Sequence, residues 1–226
     1  LDARDLARAR AVLADDFITF FLFWEATSIL SYLLVGFDQG KKNSRDSALH
    51  ALLITGGGGL LLLAGIVLIL QAAPGLRISQ FATLDPALLA DPRFQIGASL
   101  ATAGAMTKSA QFPFHFWLPD AMAAPTPVSA YLHSATMVNL GVYLLARFDE
   151  ALGGVAWWAN AVMAIGTTTA LWGAVQCLRE RDMKRILAWS TVSALGTLTL
   201  LVGLPNEMAA LAFVAFVFAH ALYKAP

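Results

Sequence analysis

The chain has 226 residues, of which 58% are hydrophobic and 13% charged, with a mean hydropathy of +0.65 and a formal net charge of zero. This composition excludes an ordinary soluble domain, and the neutral balance excludes the basic footprint of a nucleic-acid binder. The single cysteine, Cys177, excludes both an intrachain disulfide and a cysteine-based zinc site, and reads as a small apolar filler.

Leu1 opens the chain, and no basic segment with a short apolar core and cleavage site follows it, so the sequence is expected to be an interior piece of a longer protein. Residues 1–13, with Arg4, Arg8 and Arg10 beside Asp2 and Asp5, read as a solvated helical end or an interfacial connector. From there to residue 226 the pattern predicts an all-α, polytopic transmembrane helix bundle of about seven spans, each needing about 20 helical residues. The first span, 16–37, contains Glu25. The second, 48–72, contains the glycine run 56–59, which favours close helix approach, and has His50 at its entrance. Residues 73–94 form a proline-rich connector with a short surface helix. The third span, 95–112, ends at a break expected at Pro113, and 126–147, 155–178, 186–204 and 207–224 complete the set. Basic residues divide almost evenly between alternate connectors, and only the compact turns 38–46 and 179–185 lean toward the cytoplasm.

Polar groups inside apolar helices carry the chemistry. Lys108 follows an apolar run, and a cation at mid-bilayer depth costs about 2.5–3.5 kcal/mol on insertion scales, so a partner or water must surround it. Pro113, Pro119, Pro125 and Pro127 remove backbone donors, and a broken helix survives at that depth only when buried in protein or lining a hydrated cavity. The broken region therefore centres on Pro113, His115 and Pro119. Burial disfavours the charged forms of both Glu25 and Lys108, whereas proximity favours both, so a pair of variable separation can switch its proton affinity. A static ion pair that only fixes two helices is the alternative. His133 shares a helical face with Ser129 and Thr136, which suits a water chain or a packing role. His220 and Lys224, four residues apart, place a second histidine and lysine on one face of the last span. Lys184, in a charged cluster with Arg181, Asp182 and Arg185, reads as snorkelling into headgroups. No phosphate loop, metal-ligand spacing or nucleophilic triad is present, so proton conduction or cation exchange is the chemistry on offer.

The run TKSAQFPFHFWLPDAMAAPTPVSAYLHSATMVNLGVYLLARF at 107–148 closely resembles the central segment of the antiporter-like membrane subunits shared by respiratory complex I and multisubunit cation/proton antiporters. FLFWEATSILSYLLVGF at 21–37, DMKRILAWSTVSALG at 182–196 and FAHALYKA at 218–225 resemble three further blocks of that family, in order. The wording is most similar to the large A subunit of the Mrp-type sodium/proton antiporters. The resemblance implies inverted five-helix repeats, each with a discontinuous helix, of which 14–226 would hold a partial antiporter domain. It implies Lys108 as the proton-binding lysine, Glu25 as its partner, and His133, His220 and Lys224 along a hydrophilic axis. Asn139 stands where related subunits often have a lysine, and Ala194 where they often have glutamine. It further implies other subunits of a hetero-oligomeric complex and the lipid bilayer as partners, H+ and Na+ or another monovalent cation as cargo, no cofactor or resident metal, and a bacterial plasma membrane. A proton-translocating membrane subunit of an NADH:quinone oxidoreductase, and a non-transporting structural subunit, are the rival readings.

Overall fold

The computed structural model describes residues 3–125, 128 and 137–224, and every regular element among them is helical. In chain order these are α1 (Ala3–Leu13), α2 (Phe17–Val35), α3 (Lys42–Ala72), α4 (Pro86–Leu89), α5 (Pro92–Lys108), α6 (Trp117–Asp120), α7 (Val138–Leu152), α8 (Ala156–Arg179), α9 (Met183–Gly203) and α10 (Glu207–Lys224). Five of them, α2, α3, α8, α9 and α10, are long and apolar enough to cross a bilayer. Their outward faces carry exposed residues such as Leu22, Ile29, Leu53, Leu60, Leu171 and Leu211, the pattern expected where lipid replaces water as solvent. With 31 residues, α3 is about 46 Å long and overshoots a hydrocarbon core of about 30 Å. Among the described residues, the expected third and fourth spans contain the helices α5 and α7, of 17 and 15 residues.

Helix starts follow from local chemistry. Asp16 accepts hydrogen bonds from the Ile18 and Thr19 amides at 2.9 and 3.0 Å and so caps α2. Asp91 with Pro92 opens α5, and Asp182 opens α9. Small residues then set how closely the helices approach. A Cβ placed on Gly65 of α3 would lie 2.5 Å from the Gly97 carbonyl of α5, and one on Gly166 of α8 would lie 2.4 Å from the Leu200 amide of α9. Both helix pairs therefore run backbone against backbone, a contact that lipid tails cannot match.

The break in the third span lies four residues earlier than the prolines suggest. Helix α5 ends at Lys108, not at Phe112, and Ser109 caps it. Ala110 adopts a left-handed conformation with φ 50°, the Ala110 amide donates to the Thr107 carbonyl at 3.3 Å, and the Gln111 amide reaches the Met106 carbonyl at 2.9 Å. Those paired bonds make a Schellman cap, so the chain turns out of the helix before it meets a proline. Pro113 follows as the cap of a 3-10 turn, Phe114–Phe116, and Pro119 lies within the short helix α6.

Two stretches expected at the surface pack against the bundle. Residues 3–13 form α1, whose Ala7 and Ala11, one turn apart, are buried, and the Tyr143 hydroxyl of α7 donates to the Val12 carbonyl at 2.8 Å. In the 73–94 segment, a 3-10 turn over Ile78–Thr83 inserts Phe81 between Phe17 and Phe148, with ring centroids 5.7 and 5.3 Å away. Asp15 anchors this cover: its carboxylate accepts from the Ser79 amide at 2.8 Å and its carbonyl from the Ile78 amide at 2.9 Å.

Candidate functional site

The site forms where α2, α3 and α5 meet, because one turn of α2 presents different faces to the other two helices. Trp24 and Thr27, three residues apart, face α5, while Glu25, about 100° around the helix, faces α3. From α5 the fully buried Lys108 donates through Nζ to the Trp24 carbonyl at 2.6 Å and to the Thr27 hydroxyl at 2.8 Å. The Thr27 hydroxyl in turn donates to the Trp24 carbonyl at 2.7 Å. The Trp24 ring lies under the ammonium, 4.1 Å from its centroid, a cation–π contact in a water-poor setting.

Lys108 also occupies the last position of α5, where the free carbonyls give the helix end a partial negative charge. That placement contributes about 0.3–1 kcal/mol, up to about 2 when partly buried, against an insertion cost of about 2.5–3.5 kcal/mol. The helix end alone does not hold the cation; the carbonyl, the hydroxyl and the nearby carboxylate are needed. Glu25 is half-buried and close enough for its charge to act on Lys108. Its Oε1 is buried, and no hydrogen-bond donor among the described residues reaches it. The carboxylate rests against Gly59 of α3. In this geometry the ammonium sits on neutral acceptors while the acidic neighbour stands aside.

Hydrogen bonds within the protein tie down the non-helical backbone after Lys108, the kind of support that membrane depth calls for. The Trp117 indole donates to the Thr107 carbonyl at 3.0 Å, Gln111 Nε2 to the Ser109 carbonyl at 3.0 Å, and the Phe112 amide to the Thr169 hydroxyl of α8 at 2.9 Å. His115 stacks on Phe112 at 5.6 Å and meets Trp172 and Trp189 at 6.2 and 5.5 Å, an aromatic enclosure rather than a solvent path. At the opposite flank of α9, Lys224 donates to the Leu187 carbonyl at 3.0 Å and to the Ser190 hydroxyl. His220, one turn earlier, is fully buried, edge-on to Tyr223, with both ring nitrogens unpartnered among the described residues. His115 and Lys224 thus touch successive residues of α9, Trp189 and Ser190. His133 lies outside the described residues. The beginnings of α3 and α9 and the end of the broken segment line one polar cleft of about 410 Å³, with Asp46, His50, Asp120, Asp182, Lys184 and Arg185 at its wall.

Sequence reasoning singled out Glu25, Lys108, His220 and Lys224, and the structure brings them together as two pairs. It missed Trp24, which contributes a main-chain carbonyl that carries no sequence signal and a ring beneath the ammonium, and Ser190, an ordinary helical serine. Thr27, near Glu25 in an apolar run, and the glycines at 56–59 were visible but not connected to the lysine.

The sequence pattern of the family described as "NADH:quinone oxidoreductase/Mrp antiporter, TM" matches residues 14–226. The probable A/B subunit of a K(+)/H(+) antiporter from Rhizobium meliloti (strain 1021) is 45% identical over 95% of this chain and 21% of its own length. The A subunit of the Na(+)/H(+) antiporter of Bacillus subtilis (strain 168) is 42% identical over 85% of this chain and 24% of its own. The chain therefore spans about a quarter or less of the length of these curated relatives. Among solved structures, the Mrp complex from Dietzia sp. DQ12-45-1b superposes with a TM-score of 0.89 at 43% identity, covering 96% of this chain and 24% of that one. The membrane-bound sulfane sulfur reductase, an archaeal respiratory membrane complex, superposes at 0.88 with 25% identity, over 97% of this chain and 45% of that one.

Proposed function

Because this chain belongs to the NADH:quinone oxidoreductase/Mrp antiporter transmembrane family, we propose that its parent protein is a transporter subunit exchanging protons for a monovalent cation, sodium or potassium. It works across a bacterial plasma membrane, in a complex with other subunits. Residues 14–226 supply part of the exchange domain, preceded by the 1–13 connector. The observation that carries this reading is Lys108: a fully buried ammonium at a helix break, seated on Trp24 and Thr27 with Glu25 alongside.

The residues support a simple cycle. When the Glu25 carboxylate approaches, the opposite charge favours the ammonium form; when it withdraws to α3, the ammonium keeps only neutral acceptors and its proton becomes releasable. His133, His220 and Lys224 extend the route for the released proton, and the polar cleft at Asp120 and Asp182 is the aqueous approach to the broken segment. Nothing in this cycle makes or breaks a covalent bond other than one to a proton, which is the work of a transporter rather than of a catalyst.

A second reading has a specific observation behind it. The similarity to an archaeal respiratory membrane complex fits a subunit that moves protons when distant redox chemistry drives it. The test is a cation panel on the full-length protein with its partner subunits, in everted vesicles carrying an acid-inside pH gradient. Collapse of the gradient on adding sodium or potassium, but not choline, supports exchange. Proton flux that depends on an electron donor and ignores every cation overturns exchange in favour of the second reading.

A further inference from the structure

The four glycines at 56–59 are not equivalent. A Cβ on Gly56 or Gly57 would meet nothing within 4 Å, one on Gly58 would lie 1.7 Å from the Thr107 hydroxyl, and one on Gly59 would lie 1.9 Å from Glu25 Oε1. Where α3 presses on α5 elsewhere, as at Gly65 and Gly104, the atoms opposite the glycine are backbone and apolar carbon. Gly59 alone in the run is filled by an ionisable group. That group is held there without a hydrogen bond to its buried Oε1, since no donor among the described residues reaches it. A glutamate has three rotatable bonds, so a carboxylate whose buried oxygen has no donor to fix it is placed on that side by the walls around it.

We infer that Gly59 is a positioning residue for exchange: the notch left by its missing side chain receives the Glu25 carboxylate and sets how near that carboxylate comes to Lys108. The inference rests on the exchange reading above. It separates two features of the site that otherwise look unrelated, the ammonium seated toward α5 and the carboxylate set toward α3, on adjacent residues of one turn of α2. Filling the notch with one methyl group moves the carboxylate by about 1 Å or more, because carbon atoms in contact sit roughly 3.5–4.0 Å apart and the oxygen is now far closer than that allows. A displacement of that size in a positioned reacting pair costs on the order of 10²-fold in rate. Lys108 of α5 is the charged group that acts on Glu25, and among the described residues α3 offers no charged side chain at the notch, so the consequence falls on the Glu25–Lys108 pair.

The experiment uses the full-length protein with its partner subunits in everted vesicles, following sodium- and potassium-dependent proton flux across a range of pH. Gly56→Ala, the same chemical change at an open position of the same helix, is expected to leave flux and pH profile as in the wild type. Gly59→Ala is expected to lower flux by about tenfold to 10²-fold at an unchanged level of assembled protein and to displace the pH of half-maximal flux. Glu25→Asp combined with Gly59→Ala withdraws the carboxylate by one methylene and makes room for the methyl group. It is expected to transport faster than Gly59→Ala, and to assemble even if that single variant does not. Wild-type flux and pH profile in Gly59→Ala, while Glu25→Ala is inactive, would overturn the notch but leave exchange standing. A double variant that assembles no better and transports no faster than Gly59→Ala would also overturn the notch. Wild-type flux in Glu25→Ala would overturn the exchange reading on which it rests.

Discussion

Replacing Thr27 by valine keeps the shape of the side chain and removes one of the two hydrogen-bond acceptors of Lys108. The ammonium then retains the Trp24 carbonyl at 2.6 Å and loses the hydroxyl at 2.8 Å. A hydrogen bond to a charged group is worth about 1.5–3 kcal/mol, and each 1.36 kcal/mol is about a factor of ten. The balance between the neutral seat and engagement with Glu25 therefore moves by about 10-fold to 10²-fold, and cation-dependent proton flux in everted vesicles should fall by a similar factor. Thr27→Ser, which keeps the hydroxyl, should retain most of the flux. Thr168→Val is the matched control, since that exposed hydroxyl donates only along its own helix, to the Ala164 carbonyl. Wild-type flux in Thr27→Val, at normal assembly, would refute the claim that the hydroxyl seats the ammonium.

Three further outcomes follow from the packing. Gly65→Ala should lower thermal stability in detergent by about 1–3 kcal/mol, because its methyl group meets the Gly97 carbonyl and the Ala101 amide rather than a yielding side chain. Phe81→Ala should cost about 3–5 kcal/mol by emptying the space between Phe17 and Phe148, read from the same melts. The Ser79 amide holds the Asp15 carboxyl below the usual carboxylate range. Its contribution to the 78–83 cover is thus fully present above the ordinary carboxylate value near 4 and is lost as pH falls through the lower folded value. Hydrogen exchange at the Ser79 amide should accelerate in Asp15→Ala at neutral pH, and in the wild type only under strong acid; equal protection in the variant would remove Asp15 from the anchor.

Much of the bundle was legible because membrane depth makes hydrophobic length informative, and five of the long apolar runs correspond to helices long enough to cross a bilayer. The candidate site drew notice for the complementary reason: an ionisable group in such a run needs a partner, which is why Glu25 and Lys108 stood out, and both lie where α2, α3 and α5 meet. The end of α5 was not legible. A Schellman cap is normally announced by glycine, and here the left-handed position is Ala110, so the prolines downstream drew attention away from Lys108. The cover over 78–83 was hidden for another reason: a short surface helix was expected in 73–94, but a 3-10 turn is too short to show a period that would mark Phe81 as buried. The Trp24 carbonyl leaves no trace in residue type, and the Trp24 ring and the gap at Gly59 meet their partners only through the register of α2 against α5 and α3.

The central claim is that the buried ammonium of Lys108 takes up and releases the transported proton. Its most direct test is cation-dependent proton flux in vesicles containing the full-length protein with Lys108→Ala, compared at equal levels of assembled complex. The account predicts that sodium and potassium no longer dissipate the pH gradient; dissipation at the wild-type rate would contradict it.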